Sequence, residues 1–310
     1  MNFPIAGVHI NSVYLIVIGF VVGVLGGFFG VGGSFLAGPA LFALGVPMNF
    51  VVGTDLAHIV GKSIVAARKH RTLGNIDIKL GLIMVAGTIG GVEVGAQVIQ
   101  SLKRAAHVDW VVGLTFVVIL LGISGFMTWE TIKTAQAQRR SKSPQLDPKG
   151  HPSHRDRSAV RHIAHAVQNL RLPPFIRLPV SGIERISFWA ILMIAFVGGF
   201  FSGFLGGGAG YIRMPCLVYL LGIPTHLAVG TDLFEIIISA SYGTVTHALK
   251  GNVDILIALV MHTGAAIGAQ VGATLTQFFV GPRIRMAFIP LPLLGAAILI
   301  YSLSTGHPTH

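Results

Sequence analysis

The run Gly26-Gly27-Phe28-Phe29-Gly30-Val31-Gly32-Gly33-Ser34 comes back later in the chain as Gly203-Phe204-Leu205-Gly206-Gly207-Gly208-Ala209-Gly210. Laying the first on the second also carries Pro39 onto Pro215, Pro47 onto Pro224 and Gly53-Thr54-Asp55-Leu56 onto Gly230-Thr231-Asp232-Leu233. His70 then meets His247, and Gly74-Asn75-Ile76-Asp77 meets Gly251-Asn252-Val253-Asp254. The offset is 176 residues up to the first proline pair and 177 after it, so one inserted residue reconciles the whole series. One structural unit is used twice.

Composition says where such a unit lives. Of 310 residues, 53% are hydrophobic and 11% charged, against roughly 25% charged in a soluble domain. Apolar runs at 12–29, 78–99, 108–129, 188–205, 255–279 and 286–303 approach the ~20 residues that a helix needs to cross the hydrocarbon core. The chain reads as an all-α integral membrane protein, multi-pass. Gly87, Gly91 and Gly95 recur every fourth residue, a spacing that lets two helix backbones approach closely and marks a packing face. The segment before Tyr14 lacks the basic start and small-residue cleavage site of a signal peptide, so the first apolar run is expected to stay.

Each unit is expected to open with a hairpin broken at the glycines, followed by three spanning helices, because irregular backbone inside a membrane must be covered by protein or line a cavity. The division is then a first repeat at 1–132, a linker at 133–187 and a second repeat at 188–310. The linker holds eleven basic and three acidic residues, hence +8 of the chain's net +11. Without an aromatic stacking platform beside it, this charge points to the cytoplasmic leaflet and away from nucleic acid. Val160, Ile163, Val167 and Leu170 recur at helical spacing there, as in an interfacial helix; a basic loop without regular structure is the alternative.

The positive-inside rule puts Arg68-Lys69-His70-Arg71, the linker, Arg283 and Arg285 in the cytoplasm. An odd number of crossings per unit then inserts the second upside down, giving two inverted-topology repeats with a site near the midplane between them.

Several residues bear on that site. At each break a new helix starts, leaving N–H groups and a positive dipole end that suit an anion. Gly30, Gly32, Gly33, Ser34, Gly206, Gly207, Gly208 and Gly210 are therefore expected to meet substrate, with Thr54 and Thr231 alongside. Arg213, whose counterpart is Ala37, offers a planar fork for a sulfonate, sulfite or carboxylate; a structural pair with Asp232 or Glu235 is the alternative. Asp55 and Asp232 are either helix caps or charge partners, or protonatable carboxylates. Asp55, His58 and Lys62 share one helix face, and Glu235 and Ser239 replace the last two in the second unit, so any site is asymmetric. Glu93 and the aligned Gln270 are each expected to close a helix–helix hydrogen bond, with a part in transport as the alternative. His162 with His165, and His307 with His310, have metal-like spacing but no supporting ligands, so no metal is expected. Nor is a cofactor, a Walker loop or a nucleophile triad, which speaks against an enzyme or an ATP-driven pump.

The duplicated glycine turn, Pro39-Ala40-Leu41 with Pro215-Cys216-Leu217, and the paired Val-Gly-Thr-Asp-Leu and Gly-Asn-Ile/Val-Asp runs resemble the TauE/SafE family of sulfite and organosulfonate exporters. The resemblance covers both units and implies an inner-membrane permease for sulfite, sulfoacetate or related anions. Its substrate is a small organic or inorganic anion, its other partner the lipid bilayer, and assembly as a homo-oligomer stays open. The competing reading is a membrane-embedded sensor or scaffold that acts through the basic linker.

Charge placement and repeat parity predict both termini outside and the linker inside. Cysteines placed in the linker, with Cys216 replaced, should resist an impermeant thiol reagent in intact cells; labelling from outside would overturn the inverted arrangement.

Overall fold

The computed structural model describes residues 1–140 and 172–305. The proposed interfacial helix and the four spaced histidines lie outside them. The described chain is mostly helical: α1 (Ser12–Phe29), α2 (Ser34–Ala43), α3 (Met48–Thr72), α4 (Ile78–Arg104) and α5 (Val108–Arg140), then α6 (Phe188–Leu205), α7 (Gly210–Pro215), α8 (Thr225–Leu249), α9 (Ile255–Leu275), α10 (Gly281–Phe288) and α11 (Pro290–Ser304). A 3₁₀ turn at Gly207–Ala209 precedes α7, and a π-helical segment, Cys216–Leu220, follows it. Among the described residues, seven helices are long and apolar enough to cross a membrane, with α10 and α11 counting together. The chain is a multi-pass membrane protein. The counterpart of α3, α8, is equally long but is not among the seven, carrying Asp232, Glu235 and Ser239 in its middle.

Helix boundaries follow local chemistry. Asp77 and Asp254 cap α4 and α9, accepting from Leu80 N at 3.1 Å and from Leu256 N at 3.0 Å, and so satisfy donors that a helix start leaves free. The breaks after α1 and α6 turn through left-handed backbone at Gly30, Gly32 and Gly33, and at Gly206, Gly208 and Ala209, a region that glycine enters without a steric penalty.

The elements pair reciprocally. Helix α1 lies along α9, α6 lies along α4, and α3 crosses α8 at the centre. A Cβ on Gly87, Gly91 or Gly95 would strike the backbone of α6 at Leu192, Phe196 and Phe200, and one on Gly264, Gly268 or Gly272 would strike α1 at Ile16, Phe20 and Val24. The expected packing face is therefore real, and it occurs twice. Glu93 also meets its expectation, accepting from Tyr242 Oη on α8 at 3.0 Å and pairing with Lys250 at 3.4 Å; its counterpart Gln270 is exposed.

Thr54 and Thr231 exchange equivalent bonds across the units: Asp254 N donates to Thr54 Oγ1 and Asp77 N to Thr231 Oγ1, both at 2.9 Å. Each threonine is near the start of its helix and each aspartate lies just past the end of the other, so α3 and α8 run antiparallel.

Two short antiparallel hairpins were not foreseen. One joins β1 (Asn2–Phe3) to β2 (Val8–His9), the other β3 (Phe175–Leu178) to β4 (Ile183–Ser187). The second falls inside the range expected as linker, yet it leads directly into α6 as the first leads into α1. Ala6 N donates to Asp254 at 3.0 Å and Ser181 Oγ to Asp77 at 2.7 Å. Each hairpin thus docks on the capping aspartate of the other unit, and the repeat begins before its first membrane helix.

Thr54→Val should leave the buried Asp254 N–H without an acceptor and cost about 1–3 kcal/mol. Thermal unfolding of the detergent-solubilised protein reads this as a lowered midpoint; Thr54→Ser should keep it.

Candidate functional site

The two glycine breaks meet at the centre, against the middle of α3 and α8. Ser34 Oγ, at the start of α2, donates to the carbonyl of Gly207 at 2.6 Å and ties one break to the other. Gly30 packs on Val229, Gly206 on Val52, and Gly33 on the backbone of Val22. Gly32 is covered by Ile59 and Gly208 by Ile236, two isoleucines at equivalent positions that also pack in one small cluster with Leu56 and Ala240.

The helix starts are not left open for a free anion. Asp55 Oδ2 lies beside Gly207 and Ser34, and Asp232 Oδ2 lies 2.6 Å from where a Cβ of Gly210 would be. Each aspartate thus stands where α2 or α7 begins. The carboxylates lie at the glycine breaks, yet Asp55 Oδ2 and Asp232 Oδ2 accept no hydrogen bond among the described residues. Capping of their own helices is excluded, since Asp55 and Asp232 sit well inside α3 and α8, whose caps are Pro47 and Pro224.

Around these carboxylates the units differ. In the second, Arg213 Nε donates to Asp232 Oδ1 at 2.7 Å, and Nη2 lies 2.6 Å from Glu235 Oε2. All three side chains have 0% exposure. The second contact is close in distance but not aligned as a hydrogen bond, so it is an ion contact. The pairing expected as the alternative for Arg213 is present. Thr88 and Ser239 stand beside Glu235. In the first unit, Asp55 Oδ1 and Lys62 Nζ lie 3.3 and 3.2 Å from His58 Nδ1.

Buried polar atoms without a protein partner gather around the breaks: Asp55 Oδ2, His58 Nε2, Tyr211 Oη, Arg213 Nη1 and Asp232 Oδ2. Such atoms are rare in protein interiors and call for a cause. Tyr211 stacks on Phe116, with ring centroids 5.9 Å apart; it aligns with Phe35, and only that polar difference between the units could have flagged it. Thr54 and Thr231 belong to the joint between units and bond no residue of the breaks. The markers His70 and His247 also have a structural part, donating through Nε2 to the carbonyls of Gly27 at 3.0 Å and Gly203 at 2.9 Å. A surface groove of about 890 Å³ is formed by the β3–β4 hairpin and includes no residue of either array.

Comparison with known proteins shows the family. The family model described as "Sulfite exporter TauE/SafE" matches residues 15–299, which takes in both units. The chain belongs to the TauE/SafE family. Relatives of TauE/SafE type include the probable membrane transporter protein YunE of Bacillus subtilis (strain 168), 26% identical over 93% of this chain and 97% of that one. The probable membrane transporter protein YjnA of the same strain is 24% identical over 94% and 98%. The probable membrane transporter protein MJ0441 of Methanocaldococcus jannaschii is 25% identical over 85% of each chain. No solved structure matches. This TauE/SafE chain is a membrane transporter.

Arg213→Gln should leave two buried carboxylates facing each other and cost about 3–5 kcal/mol. Adding Glu235→Gln should restore part of the loss. Thermal unfolding of both variants checks this, and an additive result in the double variant would show that the residues do not act as a pair.

Proposed function

We propose that the protein is a secondary transporter that exports a small sulfur-containing anion, such as sulfite, sulfoacetate or a related organosulfonate, across the inner membrane. The site is the centre where the glycine breaks meet, and the two units are inserted as inverted-topology repeats. The observation that carries this reading is the wholly buried Arg213 one turn past the second break, with Nη1 free of any partner among the described residues. A cation in a membrane core marks a pathway or an ion partner, and a guanidinium suits planar or tetrahedral oxyanions.

The site as it stands is closed. Asp232 and Glu235 hold the guanidinium, and Asp55 and Asp232 stand at the helix starts, so an arriving anion takes over contacts that carboxylates now make. Export is favourable by charge alone: an anion leaving a cell that is negative inside gains roughly 2.3 kcal/mol per charge per 100 mV. The reading needs no cofactor and no chemical step. The basic linker lies against the cytoplasmic leaflet in this scheme, with its charge close to anionic headgroups.

Proteoliposomes tested with sulfite, sulfoacetate, taurine, sulfate and acetate should move sulfur oxyanions in preference to acetate. Arg213→Lys, which keeps the charge but loses the fork, should lower flux about tenfold or more. If no anion moves and deletion of the linker abolishes the cellular effect of the protein, the sensor or scaffold reading takes its place.

A further inference from the structure

The anion reading uses the second unit's charges and Asp55, and leaves His58 and Lys62 of the first unit without a task. On α3, Asp55, His58 and Lys62 are 1%, 1% and 2% exposed. His58 Nδ1 faces both of its neighbours, at 3.3 Å from Asp55 Oδ1 and 3.2 Å from Lys62 Nζ. A ring nitrogen either donates or accepts. Carrying a proton, Nδ1 serves Asp55 and turns a hydrogen toward Lys62. Bare, it accepts from the lysine and turns its lone pair toward the carboxylate. Neither state satisfies both neighbours, so a small change in the surroundings of Asp55 decides which one holds.

The surroundings of His58 are named side by side. Its own helix supplies Asp55 and Lys62; α9 supplies His262, which stands beside the His58 backbone and the Lys62 charge. The phenol of Tyr211 on α7 neighbours Asp55, and the hydroxyl of Ser34 on α2 is engaged with Gly207. From α8 the facing side chains are Ile236 and Ala240, which pack on Leu56 and Ile59. Arg213, Asp232 and Glu235 pair with one another. His262 is half-buried and its ring fills the space where a Cβ of Gly61 would be, so the array has one end at the edge of the bundle. Its other end, Asp55 Oδ2, is without a partner beside Gly207 at the break.

We propose that Asp55, His58 and Lys62, with His262 at the outer end, form a proton-transfer chain that neutralises Asp55 when an anion occupies the break. This rests on the anion-transport reading. The step balances. The Lys62 ammonium gives one proton to His58 Nδ1, and the resulting imidazolium gives it to Asp55, leaving a neutral amine, a neutral imidazole and a carboxylic acid. Lys62 then takes a proton from water by way of His262. The array has gained one proton, and the carboxylate that would repel a bound anion has lost its charge. One proton thus accompanies each anion and offsets one of its charges, so the membrane potential still drives export of a dianion such as sulfoacetate but not of a monoanion.

Proteoliposomes holding a pH-sensitive dye, with sulfoacetate as the probe, test this. Sulfoacetate movement should be accompanied by proton movement in the same direction. In His58→Gln the protons moved per sulfoacetate should fall about tenfold or more. His262→Gln should slow the proton signal and keep the ratio. Sulfoacetate movement without proton movement, or an unchanged ratio in His58→Gln, overturns the chain and leaves the transporter reading intact. If sulfoacetate does not move at all, the anion reading fails for this probe, and the array is judged by the NMR signal of the His58 ring, assigned by its loss in His58→Gln. A signal that titrates between about pH 5 and 9 and shifts in Lys62→Met supports the chain; a signal fixed across that range overturns it.

Discussion

A break in a membrane helix leaves backbone polar groups that lipid cannot solvate, and much of this structure consists of the means by which two such breaks are covered. Each break is covered partly by its own unit and partly by the other. Ser34 donates to the carbonyl of Gly207, and Gly30 and Gly206 lie against α8 and α3 of the opposite unit. His70 and His247 satisfy carbonyls in the last turns of α1 and α6. The glycine faces of α4 and α9 then bring whole helices into backbone contact, which dispersion forces and close fit can hold without a hydrophobic drive. Remove one unit and each break loses the part of its cover that the other unit supplies.

With the breaks covered, the centre can hold charges that lipid would not. Arg213, Lys62, Asp55, Asp232 and Glu235 are all at most 2% exposed. Two basic side chains therefore share this interior with three acidic ones. Charges so buried are tolerated only when paired, and pairing here is uneven. The second unit spends its arginine on two carboxylates, whereas the first places a histidine between an acid and a base. The apolar cluster of Leu56, Ile59, Ile236 and Ala240 is built from α3 and α8 alike, and neither array crosses it by a direct bond.

Much of this was legible in the sequence. The offset of 176 to 177 residues located both breaks, and the spacing of Gly87, Gly91 and Gly95 located a helix face, because close backbone packing leaves no choice but glycine. The asymmetry of the arrays was legible in the replacement of His58 and Lys62 by Glu235 and Ser239. What escaped depends on distance in space. Nothing local says that Asp55 and Asp232 would occupy the helix starts, since the aspartates and the breaks are separated in sequence and meet only when α3 and α8 cross. His262 escaped for the same reason: it lies on α9, and only the packing of α9 on α3 brings it to Lys62. The hairpin at 175–187 was hidden by its basic surroundings, because Arg177 and Arg185 read as linker charge while Leu178 and Ile186 were in fact turned inward.

The unlike arrays bear on how the proposed anion transport can distinguish loaded from empty forms. Two identical units would offer the solute equal seats on both sides of the crossing helices, and symmetry alone would give no reason for the empty and loaded forms to differ in charge. Position 213 removes that symmetry. An arginine faces α8 in the second unit, while Ala37 leaves the equivalent space in the first unit to a small methyl group. Lys62 supplies the first unit's cation instead, but from α3 itself and with His58 in between. The cation that answers Asp232 is thus on the broken hairpin, and the cation that answers Asp55 is on the crossing helix. The contacts within the Asp55–His58–Lys62 set lie on one helix, while Asp55 Oδ2 also neighbours Ser34 and Gly207 of the hairpins. The Arg213 pair thus joins a hairpin to α8, whereas the Asp55–His58–Lys62 set lies within α3 alone.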